Sequence, residues 1–164
     1  MGYFIGVDPG VKGALCLLDT SNSSCELHLT PRLDPLITAT TVLNWIQSIP
    51  KSRIIGLEDV HSIFGASAKS NFQFGRACGE IAAVCNISGF GVDWVTPKVW
   101  QKTVGISFPP KSAPMQRKKI TAARVAELYP NAMIFGPKGG LLDGRADALM
   151  IAHFMSLKYE GGLL

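Results

Sequence analysis

Residues 3–18, Tyr3-Phe4-Ile5-Gly6-Val7-Asp8-Pro9-Gly10-Val11-Lys12-Gly13-Ala14-Leu15-Cys16-Leu17-Leu18, decide how the fold is read. Tyr3 to Val7 is an apolar run of the length of a buried strand. It closes on Asp8, and Pro9-Gly10 then turns the chain. Ala14 to Leu18 is a second apolar run. Asp19 to Ser24 again supplies turn residues. Cys25 to Thr30 alternates weakly, with Leu27 and Leu29 apolar and Glu26 and His28 polar, as a third strand would. Three strands joined by short turns make an antiparallel meander.

Beyond residue 30 the pattern changes to strands alternating with helices. A helix is expected from Asp34-Pro35 to about Ser48, ahead of Pro50. Ile54-Ile55-Gly56-Leu57 reads as a fourth buried strand, ending at Glu58. A long helix is expected over Ser70–Asn86, a fifth strand over Val92–Val95 and a short helix from Pro97 to about Val104. Gly105 to Pro114 holds three prolines and reads as a loop and the most mobile segment. Helices are expected over Met115–Tyr129 and Leu142–Lys158, with a fraying tail at Gly161-Gly162. No internal repeat is apparent. The expected class is α/β, a five-stranded mixed sheet with helices on both faces, in a single domain over residues 1–164.

The composition is 47% hydrophobic and 17% charged, which excludes a disordered chain. Charge is unevenly spread. Residues 1–97 carry six Lys/Arg against eight Asp/Glu, and residues 98–164 carry ten against four. A basic half points to an acidic partner such as nucleic acid, or else to a solvated helical surface. Cys16, Cys25, Cys78 and Cys85 form no Cys-x-x-Cys pair, which argues against zinc. They read as core or interface thiols of a reducing, intracellular compartment: cytoplasm or nucleoid, or host cytoplasm for a viral protein. The chain opens on a strand rather than a charged and apolar leader, so no signal peptide is expected. No apolar run approaches the ~18 residues of a membrane span.

Four acids stand out. Asp8 and Glu58 each close a buried strand, and strand ends are where open α/β sheets gather reactive groups. Asp143 and Asp147 lie four apart near the start of the last helix, so both project from one face. Like charges brought together raise one another's pKa, and a cation relieves this. Hard oxygen donors suit Mg²⁺ or Mn²⁺, and two such ions can promote phosphodiester hydrolysis. Taken singly, each acid has a plainer reading. Asp8 can be a turn residue and Asp143 an N-cap; Asp147 and Glu58 can face solvent. Asp59 follows Glu58, and only one of the two can face the site.

Five segments together resemble the RuvC-type Holliday junction resolvases, especially the phage-encoded branch. They are Gly6-Val7-Asp8-Pro9-Gly10 with Gly13-Ala14, Glu58-Asp59-Val60-His61, Phe74-Gly75-Arg76-Ala77-Cys78-Gly79, Val95-Thr96-Pro97-Lys98-Val99-Trp100 with Lys102 and Gly105, and Asp143-Gly144-Arg145-Ala146-Asp147-Ala148-Leu149. The resemblance implies an RNase H-like fold, a homodimer and Mg²⁺-dependent cleavage, with two ions per site and Mn²⁺ as a substitute. The substrate would be four-way DNA junctions, nicked symmetrically on opposed strands. It places Asp8, Glu58, Asp143 and Asp147 on the metal-binding acids. Two departures are visible. Bacterial members space the last two acids three apart, and they carry an aromatic ring three residues after the second acid, where this chain has His61.

Candidate DNA contacts are His61, Lys98, Lys102, Lys111, Arg117, Lys118, Lys119 and Arg145. Lys118 and Lys119 cannot point the same way, and Trp100 reads as core. The long helix, 70–86, carries Phe72, Phe74, Ala77, Cys78, Ile81, Ala82, Val84 and Cys85, enough for a second apolar stripe at a two-fold interface. The other reading is a fully buried helix in a monomer. Competing functions are an RNase H-like nuclease acting on flaps, forks or RNA–DNA hybrids, a junction binder without catalysis, and an actin-like ATPase. The ATPase needs a second domain for which the chain has no room.

Overall fold

The structure, a computed structural model, describes residues 2–10, 12–29, 35–49, 54–63 and 65–161. The strands are β1 (Tyr3–Asp8), β2 (Ala14–Asp19), β3 (Ser24–Leu29), β4 (Ile54–Glu58) and β5 (Gly91–Val95). The helices are α1 (Pro35–Gln47), α2 (Ala68–Ile87), α3 (Pro97–Thr103), α4 (Pro114–Leu128) and α5 (Asp143–Glu160). The five strands form one mixed sheet in the order β3-β2-β1-β4-β5. β3, β2 and β1 are the antiparallel meander, and β1, β4 and β5 run parallel.

Helices cover both faces. Phe4, Ala14, Cys16 and Leu18 point to one side, where they meet the buried residues of α5 from Ala146 to Met155, with α3 and α4 outside it. Ile5, Val7, Leu15, Ile55 and Leu57 point to the other side, against Val42 and Ile46 of α1 and Ile81, Val84 and Cys85 of α2. Each strand divides its side chains between two cores by the two-residue period of extended chain.

The two layers approach the sheet differently. Gly6 and Gly56 are direct neighbours in the β1–β4 register and face α5. A Cβ on Gly6 would lie 2.1 Å from the Ala148 carbonyl oxygen and 2.4 Å from the Ala152 nitrogen. On Gly56 it would lie 2.5 Å from Met155 Cγ. The helix therefore rests on strand backbone, which only glycine permits here.

Several boundaries differ from expectation. α2 starts at Ala68, because Ser67 caps it by accepting the Ser70 N–H at 3.1 Å. α4 starts at Pro114, placed at the first helical position where its missing N–H costs nothing. α5 starts at Asp143, with Leu142 at the N-cap, so Asp143 is not the cap residue. A small hairpin was not foreseen. Phe135 pairs with Leu141, Gly136 N–H donates to Gly140 O at 2.8 Å and Leu142 N–H to Ile134 O at 2.8 Å. Residues 105–113 form no helix or strand, as expected. Thr30 and Asp34, the expected strand end and helix start, and Gly162 of the tail lie outside the described residues. Among the described residues no helix is long and apolar enough to cross a membrane.

Candidate active site

The packing of α5 on the two glycines sets the site. Asp8 is two residues beyond Gly6 and Glu58 two beyond Gly56, so both carboxylates emerge on the α5 face from adjacent strand ends. Asp59 is directed away by the same alternation, and its N–H is spent on Val95 O at 2.9 Å. The start of α5 closes against the turn after β1. A Cβ on Gly144 would lie 2.3 Å from Lys12 O and 3.1 Å from Asp8 Oδ2. Asp143 and Asp147, on one face of that first turn and a half, are thereby brought to the strand-borne pair.

A cleft of about 490 Å³ opens there, lined by Asp8, Glu58 and Asp143 with Lys12, Gln73 and Phe74 among its walls. Burial pushes the Asp8 carboxyl up from 3.8 to about 6, against the Gly10 N–H at 3.0 Å and with the charge of Asp143. Burial and then the charge of Asp8 push Glu58 up from 4.5 to about 7. Burial pushes Asp147 well above the carboxylate range, reinforced by Asp8, Glu58 and Asp143 and opposed by Lys118. The four acids therefore feel one another electrostatically, which sequence spacing alone could not guarantee. Cys78 of α2 belongs to the same neighbourhood: burial, then Asp8 and Glu58, raise its thiol to about 11.

Three acids hold partners of their own. Asp8 accepts from Gly10. Glu58 Oε1 accepts from the Trp100 indole N–H at 2.9 Å. Asp143 Oδ2 pairs with Lys118 Nζ at 2.5 Å. As the side chains stand, no group of three His, Cys, Asp or Glu donors among the described residues is drawn together tightly enough to hold a metal ion. In kind, the donor set fits a hard divalent cation. It comprises carboxylates whose pKa values are raised by burial and mutual charge, the condition a cation would relieve.

The basic residues divide. Lys118 is inside the acidic cluster, whereas Lys119 is exposed. Arg117 is exposed and stacks 4.9 Å over the Phe108 ring. Lys98 and Lys102 are exposed on α3, and Lys111 is exposed with φ of 61°. His61 is exposed in the loop after β4, which Asn71 ties down by accepting from Ile63 N at 2.8 Å and donating to Ile63 O at 3.1 Å. Arg145 does not line the cleft. It lies two residues from each helix acid, so it emerges on the far side of α5, where Nη1 donates to Met133 O at 2.8 Å. Trp100 is fully buried, as its reading as core required, but its bond to Glu58 was not anticipated. Lys12, Gln73 and the Cys78 thiol were likewise not read as site residues. Gln73 and Cys78 sit on α2 and come near the acids only through tertiary packing, whereas Lys12 lies in the turn that follows Asp8.

No protein-family model matches the sequence, and no curated protein sequence matches it. Solved structures do match. The chain resembles Thermus thermophilus RuvC in complex with Holliday junction substrate with a TM-score of 0.63 at 15% identity, covering 98% of this chain and 96% of that one. A further Thermus thermophilus RuvC structure gives 0.58 at 15% identity with the same coverage. Fowlpox virus resolvase, in complex with substrate Holliday junction DNA, gives 0.51 at 19% identity over 99% of both chains. The chain has an RNase H-like fold. At these identities the likeness extends to the fold, over nearly the whole length of each protein.

Proposed function

We propose that the protein is a divalent-metal-dependent endonuclease that resolves four-way DNA junctions by paired, symmetric nicks. The observation that carries this reading is the gathering of Asp8, Glu58 and Asp143 around one cleft, with Asp147 close enough to feel the charge of all three, and with burial and mutual charge raising the pKa values of Asp8, Glu58 and Asp147. A chain that only bound DNA would gain nothing from four acids facing phosphates. The likeness to structures solved with Holliday junction DNA supports branched DNA as the substrate class.

In this reading the four acids would hold two Mg²⁺, with Mn²⁺ as substitute. The ions would supply charge stabilisation at the scissile phosphate and a more acidic water. The chain's own groups do the rest. Trp100 fixes one oxygen of Glu58, so that carboxylate keeps a single orientation. Lys118 contributes a positive charge beside Asp143 where a phosphate would arrive. Lys98, Lys102, Lys111, Arg117 and Lys119, all exposed, would neutralise the DNA arms, and His61 would meet the substrate from the loop after β4. Arg145, with its guanidinium on Met133, would contact DNA only from the outer side of α5.

Paired nicks require two sites. The outer face of α2 supports a homodimer. Phe72, 74% exposed, and Ile87, 68% exposed, flank the exposed small residues Gly75, Gly79 and Ala83 at helical spacing. Of the apolar residues expected to form the second stripe, Phe72 lies on this face. Ile81, Val84 and Cys85 are buried against the sheet, and Phe74 lines the cleft. Four free thiols are in keeping with a reducing, intracellular compartment.

The test is a labelled immobile four-way junction beside matched duplex, flap and RNA–DNA hybrid, with Mg²⁺ or EDTA and with an Asp8→Asn variant. Paired nicks on opposed junction strands, lost with EDTA and in the variant, are the expected result. Tight junction binding without cleavage under any divalent metal would favour a pure binder. Cleavage of flaps or hybrids alone would keep the nuclease and remove the resolvase assignment.

A further inference from the structure

The hairpin between α4 and α5 has features that its packing does not explain. Ile134 is 2% exposed and pins its base, and Leu142 leads directly into Asp143. Beyond that anchor it turns apolar side chains outward: Met133 is 73% exposed and Phe135 53%. Exposed to water, such side chains gain nothing, and paired exposed apolar groups on a hairpin point to a partner. The hairpin is nevertheless held in shape. The Phe135–Leu141 pairing, the Gly136–Gly140 and Leu142–Ile134 hydrogen bonds, and Gly139 at φ of 74° fix its turn. Arg145 Nη1 holds Met133 O at 2.8 Å and so fastens the hairpin to the helix that carries Asp143 and Asp147.

The charge around it selects the partner. From Leu128 to Leu142 there is no acidic residue and one lysine, the exposed Lys138. Lys118 reaches Asp143, so the basic start of α4 borders the same helix end. Apolar side chains beside cations suit a nucleic acid whose bases are exposed: bases stack on the apolar groups while cations meet the phosphates. An intact duplex offers a base face only at the cost of unstacking a step, whereas a branch point presents bases that are already easier to unstack.

Resting on the proposed function, we propose that residues 133–141 form a base-contacting arm. Met133 and Phe135 pack on bases unstacked at the branch point, and the Arg145 link to Met133 sets the arm's position relative to the cutting site. The arm is a specificity element, separate from the acids.

The experiment uses the full-length protein and its Met133→Ser/Phe135→Ser variant. Both side chains are largely exposed, so the fold should survive, and matched thermal melts verify this. A four-way junction carrying 2-aminopurine at its centre is titrated in Ca²⁺ over a range of salt, and cleavage is followed in Mg²⁺. The wild type should raise the 2-aminopurine fluorescence. The variant should lose most of that rise and bind about tenfold or more weakly. The slope of log affinity against log salt should not change, because no phosphate contact is removed. A variant with wild-type fluorescence and affinity overturns the arm while leaving the resolvase reading in place, and so does a loss of affinity that comes with a reduced salt slope. A wild type that neither binds nor cuts the junction overturns both.

Discussion

The two faces of the sheet solve the same packing problem in opposite ways. On the α1/α2 face, Ile5, Val7, Ile55 and Leu57 keep the helices at side-chain distance from the strands. On the α5 face, Gly6 and Gly56 remove that spacer and α5 rests on backbone. Close approach forms the site: it brings the start of α5, with two acids, to the two strand ends that carry the other two. Among the described residues the spaced face positions no such cluster, and the outer side of α2 is open at Gly75 and Gly79, where an added Cβ would meet nothing within 4 Å. In the proposed function, one face is committed to chemistry and the other offers surface to a second chain.

The comparison breaks most visibly at the acids. Glu58→Gln retains the acceptor for the Trp100 indole but removes the charge. Cleavage should fall on the order of 10²- to 10³-fold, while the metal-free protein at pH 8 becomes more stable in chemical denaturation. Activity near wild type would mean that the cleft is not the cutting site. Next comes the backbone contact. Gly6→Ala sets a methyl against the Ala148 carbonyl and the Ala152 nitrogen, neither of which can rotate away. A loss of about 3 kcal/mol or more is expected. Gly56→Ala should cost less, because the flexible Met155 side chain can yield. On the other face the sign of the volume change reverses: Leu57→Ala should cost about 2–5 kcal/mol by leaving a cavity. Urea midpoints of the three variants test the contrast. A Gly6→Ala protein as stable as Gly56→Ala would mean that α5 does not rest on β1 backbone.

Legibility in the sequence followed range. The strands, their acidic ends and the alternation that separates Glu58 from Asp59 are local, and they could be read from the two-residue period. The mixed sheet followed from the switch between meander and alternating elements. What escaped depends on partners far along the chain. Trp100 meets Glu58 across 42 positions. Lys118 turns to Asp143, and Arg145 to Met133, only because α4, α5 and the hairpin dock at one register. The long helix was read by its apolar residues, so its inner side was legible. Of its outer side only Phe72 was legible, because small residues such as Gly75, Gly79 and Ala83 carry no hydrophobic signal.

Acidity offers a milder perturbation of the α5 face alone. Glu58 is displaced from 4.5 to about 7 and Asp8 from 3.8 to about 6. A raised folded pKa means that the native state binds the proton more tightly than the unfolded chain does. Their stabilising contribution is therefore complete below about pH 4 and is lost as pH climbs through 6 to 7. For Glu58 the displacement corresponds to about 3 kcal/mol. Metal-free protein should lose stability between pH 4 and 8, and saturating Mg²⁺ should flatten the profile by stabilising the ionised acids. Denaturation with EDTA and with Mg²⁺ across that range measures both. A metal-free profile that rises toward pH 8 would contradict the buried, mutually repelling cluster.

The smallest effect on stability is expected on the outer side of α2. Phe72 is exposed in the single chain, so Phe72→Ser should change the stability of a monomer by no more than about 0.5 kcal/mol. The same change should dissociate a dimer built on this face, visible as halved mass in sedimentation and as a Tm that no longer depends on protein concentration. Junction cleavage would then yield single nicks in place of paired ones, with the acids untouched. If Phe72→Ser cost more than 1 kcal/mol at concentrations where the protein is monomeric, the residue would have contacts within its own chain, and the division of labour between the two faces would fail. If mass and nick pairing both stayed unchanged, the second chain would have to dock elsewhere, and the open side of α2 would lose its proposed purpose.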